Sequence, residues 1–159
     1  MYTWFSEALA REYDTERVLK ESPRGSVKLL RHRESGKRFV LRQFQGNSEV
    51  YRKLLQYTCP NLPVIYEAVA DGEHALVLEE YIQGDTLGFL LQDACFSQKE
   101  TRRIVLQVCR ALWVLHSLGA VHRDVKPENI ILRGSEAVLI DFDAARLHKP
   151  EHDNDTQIL

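Results

Sequence analysis

The chain has 159 residues, of which 44% are hydrophobic and 28% are charged, and its net charge is −2. This composition predicts a globular domain with a real core, and it gives no support for nucleic acid or membrane as the main partner. Three cysteines without metal spacing indicate a reduced, cytoplasmic compartment, and the chain shows neither a signal peptide nor an apolar run near the ~20 residues of a membrane span.

The first half of the chain predicts an antiparallel sheet and one main helix. A short helix over residues 3–12 is followed by period-two apolar segments, which turn residues separate. A second helix is predicted over 47–58, capped by Asn47 or Ser48. A hairpin is predicted across Asp71-Gly72. The predicted strands cover residues 16–22, 25–33, 37–44, 62–70 and 74–82.

After residue 82 the pattern becomes helical. A short helix over 86–94 precedes a capping box at 97–100, which opens the clearest helix of the chain. Two strands over 129–132 and 137–141 follow, and we expect the polar, aperiodic residues 144–159 to be poorly ordered. The sequence therefore predicts two domains, residues 1–82 and 83–159, with a cleft between them.

Polar residues are concentrated between the long helix and the last two strands, in "GAVHRDVKPENIILRG", residues 119–134. Charges beside apolar strands need partners, a metal or a ligand. Any one of these residues fits a polar turn between buried strands, which is the alternative interpretation. The ordered set is far more specific: His122-Arg123-Asp124, then Lys126, Asn129 and Asp141-Phe142-Asp143.

This set closely resembles the catalytic loop and metal-binding turn of eukaryotic-type serine/threonine protein kinases of the bacterial-like kind. The resemblance implies an α+β fold, with an antiparallel sheet and main helix in the N-lobe and a helical C-lobe. It implies ATP and Mg²⁺ as cofactors. By resemblance Asp124 is the catalytic base, Lys126 contacts the transferring phosphate, and Asn129 and Asp141 hold magnesium. His122 and Phe142 would be packing residues.

Two upstream segments depart from the kinase pattern. Arg42 stands where the family has a phosphate-binding lysine, and Glu49 stands at the position of its helical partner. We therefore expect an Arg42–Glu49 ion pair beside the nucleotide phosphates. The glycine-rich loop keeps only Gly25, followed by Val27, which the resemblance places against adenine. The other glycine positions hold Lys20 and Ser22.

The resemblance also places the adenine-binding hinge at residues 80–82, so that the backbones of Glu80 and Ile82 would contact the base. This register puts Glu79 at the position that limits access behind the adenine, and a one-residue slip would put Leu78 there instead. Asp143 replaces the usual glycine of the metal-binding turn and adds a second negative charge near the metal.

The resemblance runs from about Tyr13 to Leu159, but a protein kinase domain is larger and would continue for roughly a hundred residues more. We therefore expect exposed apolar surface that favours self-association. The predicted function is ATP- and magnesium-dependent transfer of phosphate to Ser or Thr hydroxyls of a protein. We expect little transfer by these 159 residues alone. The alternatives are a pseudokinase module, which binds nucleotide or serves as a scaffold, and a small-molecule phosphotransferase, which Lys126 disfavours.

Overall fold

The computed structural model describes residues 2–148, and the predicted α+β architecture is confirmed. A five-stranded antiparallel sheet has the order β1-β2-β3-β5-β4. Its strands are β1 (Tyr13–Ser22), β2 (Gly25–His32), β3 (Arg38–Gln45), β4 (Ile65–Asp71) and β5 (His74–Glu80). Helix α1 (Tyr2–Glu12) precedes this sheet, and α2 (Glu49–Leu54) connects β3 to β4.

The remaining elements form the helical half and two small sheets. The helices are α3 (Leu87–Leu90), α4 (Gln98–Ser117) and a 3₁₀ turn (Pro127–Asn129). The short strands are β6 (Asp85–Thr86), β7 (Ala120–Val121), β8 (Ile130–Arg133), β9 (Glu136–Leu139) and β10 (Arg146–Leu147). Strands β6, β8 and β9 form one sheet, and β7 pairs with β10.

The two faces of the large sheet bury different residues, because alternate side chains point to opposite faces. On the outer face, Leu9 of α1 packs against a cluster of sheet residues that includes Leu30, Leu76 and Leu78. The inner face turns toward α2 and the helical half. Because helix α1 covers the outer face of the sheet, it leaves the inner face open for a site.

One hydrophobic core crosses between the two halves. Phe44 and Tyr51 belong to the same buried cluster as Ile104 of α4 and Phe142. Helix α4 begins with the predicted capping box, in which the Ser97 hydroxyl accepts from the Glu100 N–H and the Glu100 carboxylate accepts from the Ser97 N–H. Because one hydrophobic core spans both halves of the chain, the division into two domains at residue 82 stays a prediction.

Two polar side chains also join the halves. The buried Asn61 side-chain amide donates to the Ala137 carbonyl over 2.8 Å, and the backbone carbonyl of Asn61 accepts from the Leu139 N–H over 2.9 Å. Arg133 lies 2.8 Å from the Glu80 carboxylate at the end of β5. These contacts hold the segment before β4 and the end of β5 against the β8–β9 hairpin.

Several local expectations differ from the structure. Helix α2 is shorter than predicted, and β6, β7 and β10 were not predicted because two-residue strands depend on distant partners. Strand β10 pairs with Ala120–Val121, so the expected disorder of residues 144–159 is wrong at Arg146–Leu147. Residues 149–159 lie outside the described part of the chain.

Helix α4 also carries exposed apolar side chains at Val105, Leu106 and Trp113. Self-association through this surface stays a prediction. Within residues 2–148, no helix is long and apolar enough to cross a membrane.

Gly25 provides a test of the sheet's close packing. A Cβ at Gly25 would lie 2.0 Å from the Gln43 carbonyl oxygen, whereas a Cβ at Gly72, which also has positive φ, would meet nothing within 4 Å. Gly25→Ala should therefore lower the free energy of unfolding by at least ~2 kcal/mol, and Gly72→Ala by about 1 kcal/mol. Urea unfolding measures both, and equal losses would contradict this steric account.

Candidate active site

The inner face of the sheet and the 119–141 region enclose a cleft of about 660 Å³. Apolar side chains line one part of it, among them Val27, Val40, Ile82 and Ile131. Its polar lining includes Lys20, Arg42, Glu79, Lys126, Asn129 and Asp141. A cleft of this size with an apolar wall and a polar end can hold a small organic ligand that carries charged groups.

Asp124 lies at the centre of a hydrogen-bonded cluster. Lys126 Nζ is 3.0 Å from Asp124 Oδ2, and the buried Asn129 amide donates to the same oxygen over 2.9 Å. The Lys126 hydrogen bond holds the pKa of Asp124 below its ordinary value, and Asn129 acts in the same direction. Asp124 is therefore an ionised carboxylate at neutral pH.

His122 connects this cluster to the next turn. Its Nδ1 accepts from the Asp124 N–H over 3.2 Å, and its Nε2 lies 3.1 Å from the Ile140 carbonyl. Burial lowers the pKa of His122, so a neutral ring with Nε2 protonated satisfies both contacts. The ring packs edge-on against Phe142 with centroids 5.4 Å apart, which is the packing that the resemblance implied.

The turn at residues 141–143 has a strained backbone. Asp141 adopts φ of +68°, and Arg123 in the catalytic loop adopts the same value. Residues other than glycine rarely take this conformation, and where they do the site is often functional. Asp143, which replaces the usual glycine, has no positive φ. The strain therefore lies at the predicted metal ligand and not at the substituted position.

Tyr51 holds this turn from helix α2. Its fully buried hydroxyl donates to Asp143 Oδ1 over 2.6 Å and accepts from the Phe142 N–H over 3.1 Å. Burial raises the pKa of Asp143, and nearby Arg42 opposes that increase. The carboxylate of Asp143, the second one in this turn, is thus hydrogen-bonded to Tyr51.

The predicted Arg42–Glu49 pair is wrong. Arg42 Nε lies 2.6 Å from Glu79 Oε1 on the neighbouring strand β5, and both side chains are almost completely buried. Glu49 is exposed and accepts a hydrogen bond from Asn47. The reason is the orientation of α2, which buries Val50, Tyr51 and Leu54 and leaves Glu49 on its outer side.

Arg42 also reaches the turn at residues 141–143. Its Nη1 is 3.4 Å from Asp141 Oδ1 and 3.7 Å from Asp143 Oδ2. Burial alone would lower the pKa of Arg42, but Glu79 and the turn carboxylates hold it well above its ordinary value. Burial raises the pKa of Glu79, and the charge and hydrogen bond of Arg42 oppose that increase. The second carboxylate oxygen, Glu79 Oε2, is buried with no hydrogen-bond partner in the described chain.

The register of β5 distinguishes Glu79 from Leu78 at the position that was predicted to lie behind the adenine. Glu79 pairs with Val40 and faces the cleft, whereas Leu78 pairs with Leu41 and packs in the outer cluster. Glu80 and Ile82 both line the cleft. The Glu80 N–H already donates to the Val64 carbonyl, so it is not available to a ligand.

Gly25 and Val27 have different surroundings. Val27 is buried and lines both the cleft and an adjoining cavity of about 440 Å³, whereas Gly25 lines the adjoining cavity and not the cleft. Asp124 and Asp141 also line this second cavity. The carbonyl of Gln43 accounts sterically for the glycine at position 25, so its predicted contact with the cofactor stays a prediction.

Sequence reasoning did not identify Tyr51 as a functional residue or Glu79 as the partner of Arg42. The apolar spacing of Val50, Tyr51 and Leu54 marks the buried face of α2 and could have identified Tyr51. A glutamate within the apolar strand "HALVLEE" was likewise a signal for a buried partner.

Comparison with known proteins agrees with this geometry. Residues 13–158 match the family described as "Protein kinase domain". The chain belongs to the protein kinase domain family. It is 28% identical to the serine/threonine-protein kinase cot-1 of Neurospora crassa, over 92% of this chain and 27% of that protein. It is 34% identical to the serine/threonine-protein kinase PknA of Nostoc sp., over 67% of this chain and 19% of that protein.

Serine/threonine-protein kinase D of Synechocystis sp. is 33% identical over 67% of this chain. The predicted resemblance to bacterial serine/threonine kinases is therefore confirmed, and the chain also resembles a kinase of Neurospora crassa. It spans only 27%, 19% and 21% of these three relatives.

The buried Arg42–Glu79 pair is expected to be important for stability. Arg42→Met should lower the free energy of unfolding by roughly 3–5 kcal/mol, because it leaves a buried carboxylate without its cation. The double variant Arg42→Met/Glu79→Met should recover much of that loss. Urea unfolding measures all variants.

Arg38→Met is the matched control, since Arg38 lies on the same strand and pairs with Glu16 at an exposed position. Its effect should be much smaller, because water screens exposed pairs. A loss for Arg38→Met as large as that for Arg42→Met would contradict the role of burial.

Proposed function

We propose that this chain binds ATP and magnesium in the cleft and supplies the nucleotide-binding and catalytic residues of a cytoplasmic serine/threonine protein kinase. One observation carries the proposal. Asn129 and Asp141, from two separate turns, face the cleft that Val27 and Ile82 line with apolar surface. The Asp124 carboxylate opens onto the adjoining cavity.

The residues present fit these cofactors. Val27, Val40 and Ile82 supply an apolar wall for a planar base, and the Glu80 carbonyl can accept from its amino group. Asn129 and Asp141 are oxygen ligands of the kind that magnesium prefers. Residues 2–148 contain no cluster of three or more His, Cys, Asp or Glu side chains suited to a metal. Oxygen atoms of the nucleotide phosphates and of water would therefore supply the other ligands of magnesium.

The Asp124 cluster supports phosphoryl transfer to a hydroxyl. When bound, the nucleotide supplies the phosphoryl group and magnesium offsets its negative charge. Asp124 would orient the acceptor hydroxyl and accept its proton at Oδ. Lys126, 3.0 Å from that carboxylate, would contact the transferring phosphate. The protein acceptor and its Ser or Thr hydroxyl belong to the proposal.

Nucleotide binding is tested by thermal unfolding. Saturating ATP with magnesium, at about 100 times its Kd, should raise the Tm by roughly 5 °C or more, because ligand binding stabilises the folded state. Asp141→Asn should reduce this shift, and Asp93→Asn, at an exposed carboxylate that lines neither the cleft nor the adjoining cavity, should not. An equal shift for the parent and Asp141→Asn, or none for the parent, would refute the proposed site.

Catalysis is tested in the natural protein in which these residues occur. Asp124→Asn should lower transfer from ATP to a Ser- and Thr-containing protein by roughly 100-fold or more and leave ATP affinity nearly unchanged. Asp93→Asn is again the control. Nucleotide binding without any transfer by the parent would favour the pseudokinase alternative, for which the engagement of Arg42 by Glu79 is the supporting observation.

A further inference from the structure

We propose that Lys20, and not Arg42, is the cation that contacts the phosphates of the bound nucleotide. This inference rests on the proposed binding of ATP in the cleft. It assigns the phosphate contact to strand β1 instead of β3. The argument depends on the register of the sheet, the engagement of Arg42 and the exposure of Lys20.

The register places both cations beside the same cleft residue. Lys20 pairs with Val27 across β1 and β2, and Val27 pairs with Arg42 across β2 and β3. Directly opposed residues in an antiparallel sheet share a face. All three residues line the cleft. A register irregularity between Val18 and Lys20 marks this part of β1, and such bulges often redirect a side chain.

Arg42 is already engaged. Its side chain is 5% exposed and lies 2.6 Å from Glu79, and its other contacts are the carboxylates of Asp141 and Asp143. Moving the guanidinium toward a ligand would leave Glu79 as a buried charge without a counterion, which is strongly unfavourable. Arg42 therefore serves as a positioning residue for the turn.

Lys20 has the opposite properties. Its side chain is 64% exposed, and its ammonium lies 3.8 Å from Asp141 Oδ2, a distance too long for a strong hydrogen bond. Lys20 lines both the cleft and the adjoining cavity that holds Gly25 and Asp124. A flexible lysine in this place can turn from Asp141 to a phosphate without uncovering a buried charge. It lies between the apolar wall at Val27 and the carboxylate of Asp141, where phosphates would extend from the base.

The test compares ATP with adenosine, which lacks phosphates, by calorimetric titration with magnesium present. Lys20→Met should weaken ATP binding by at least about 10-fold, the effect of losing one charged hydrogen bond. Adenosine binding should stay unchanged, and Lys20→Arg should retain most of the ATP affinity. Lys28→Met is the matched control, because Lys28 follows Val27 on β2 and pairs with Leu41 of the outer face.

Two results would overturn the inference while leaving the proposed function in place. The first is parent-like ATP affinity for Lys20→Met, and the second is an equal loss of ATP and adenosine binding, which would indicate a role in the shape of the cleft. If the parent binds adenosine but not ATP, or binds neither, the proposed function fails and this inference fails with it.

Discussion

The buried contact between Arg42 and Glu79 determines how the charges of the cleft are arranged. Two adjacent strands supply the pair, so the sheet itself sets its geometry. Desolvation makes such a pair costly, and its value is often to specify one arrangement among several. Here the guanidinium directs Nη1 toward Asp141 and Asp143. The sheet and the turn at residues 141–143 are thereby held in one relative position.

This arrangement has a consequence for helix α2. Glu49 contacts Asn47 on the outer side of the helix and takes no part in holding Arg42. The helix acts on the site through Tyr51, whose hydroxyl contacts two consecutive residues of the turn. A rotation of α2 would therefore disturb the turn directly, while the strand pair would keep Arg42 in place.

A chain of aromatic rings connects the sheet to the catalytic loop. Phe44 and Tyr51 have centroids 5.7 Å apart, Tyr51 and Phe142 5.6 Å, and Phe142 and His122 5.4 Å. The Phe44–Tyr51 pair is tilted and the other two pairs are edge-on. Such ring contacts add to the energy of burial and restrict ring orientation. His122 then binds the Asp124 N–H. The position of the proposed base is thus coupled through packed rings to strand β3.

The sequence by itself determined the family and the α+β class, and it supplied the residues that we propose for catalysis. These features depend on local order: Asp124, Lys126 and Asn129 lie within one loop, and period-two and helical apolar patterns are visible without knowledge of distant contacts. The capping box at Ser97 and Glu100 was predictable for the same reason.

Only the tertiary structure decided the partners of the charged groups. Glu79 lies 37 residues from Arg42 in the chain, and Tyr51 lies 92 residues from Asp143. Whether Arg42 meets Glu49 or Glu79 depends on strand register and on which face α2 buries. Propensity does not encode these properties, because packing of distant segments sets them. The two-residue strand β10 likewise exists through its pairing with Ala120–Val121.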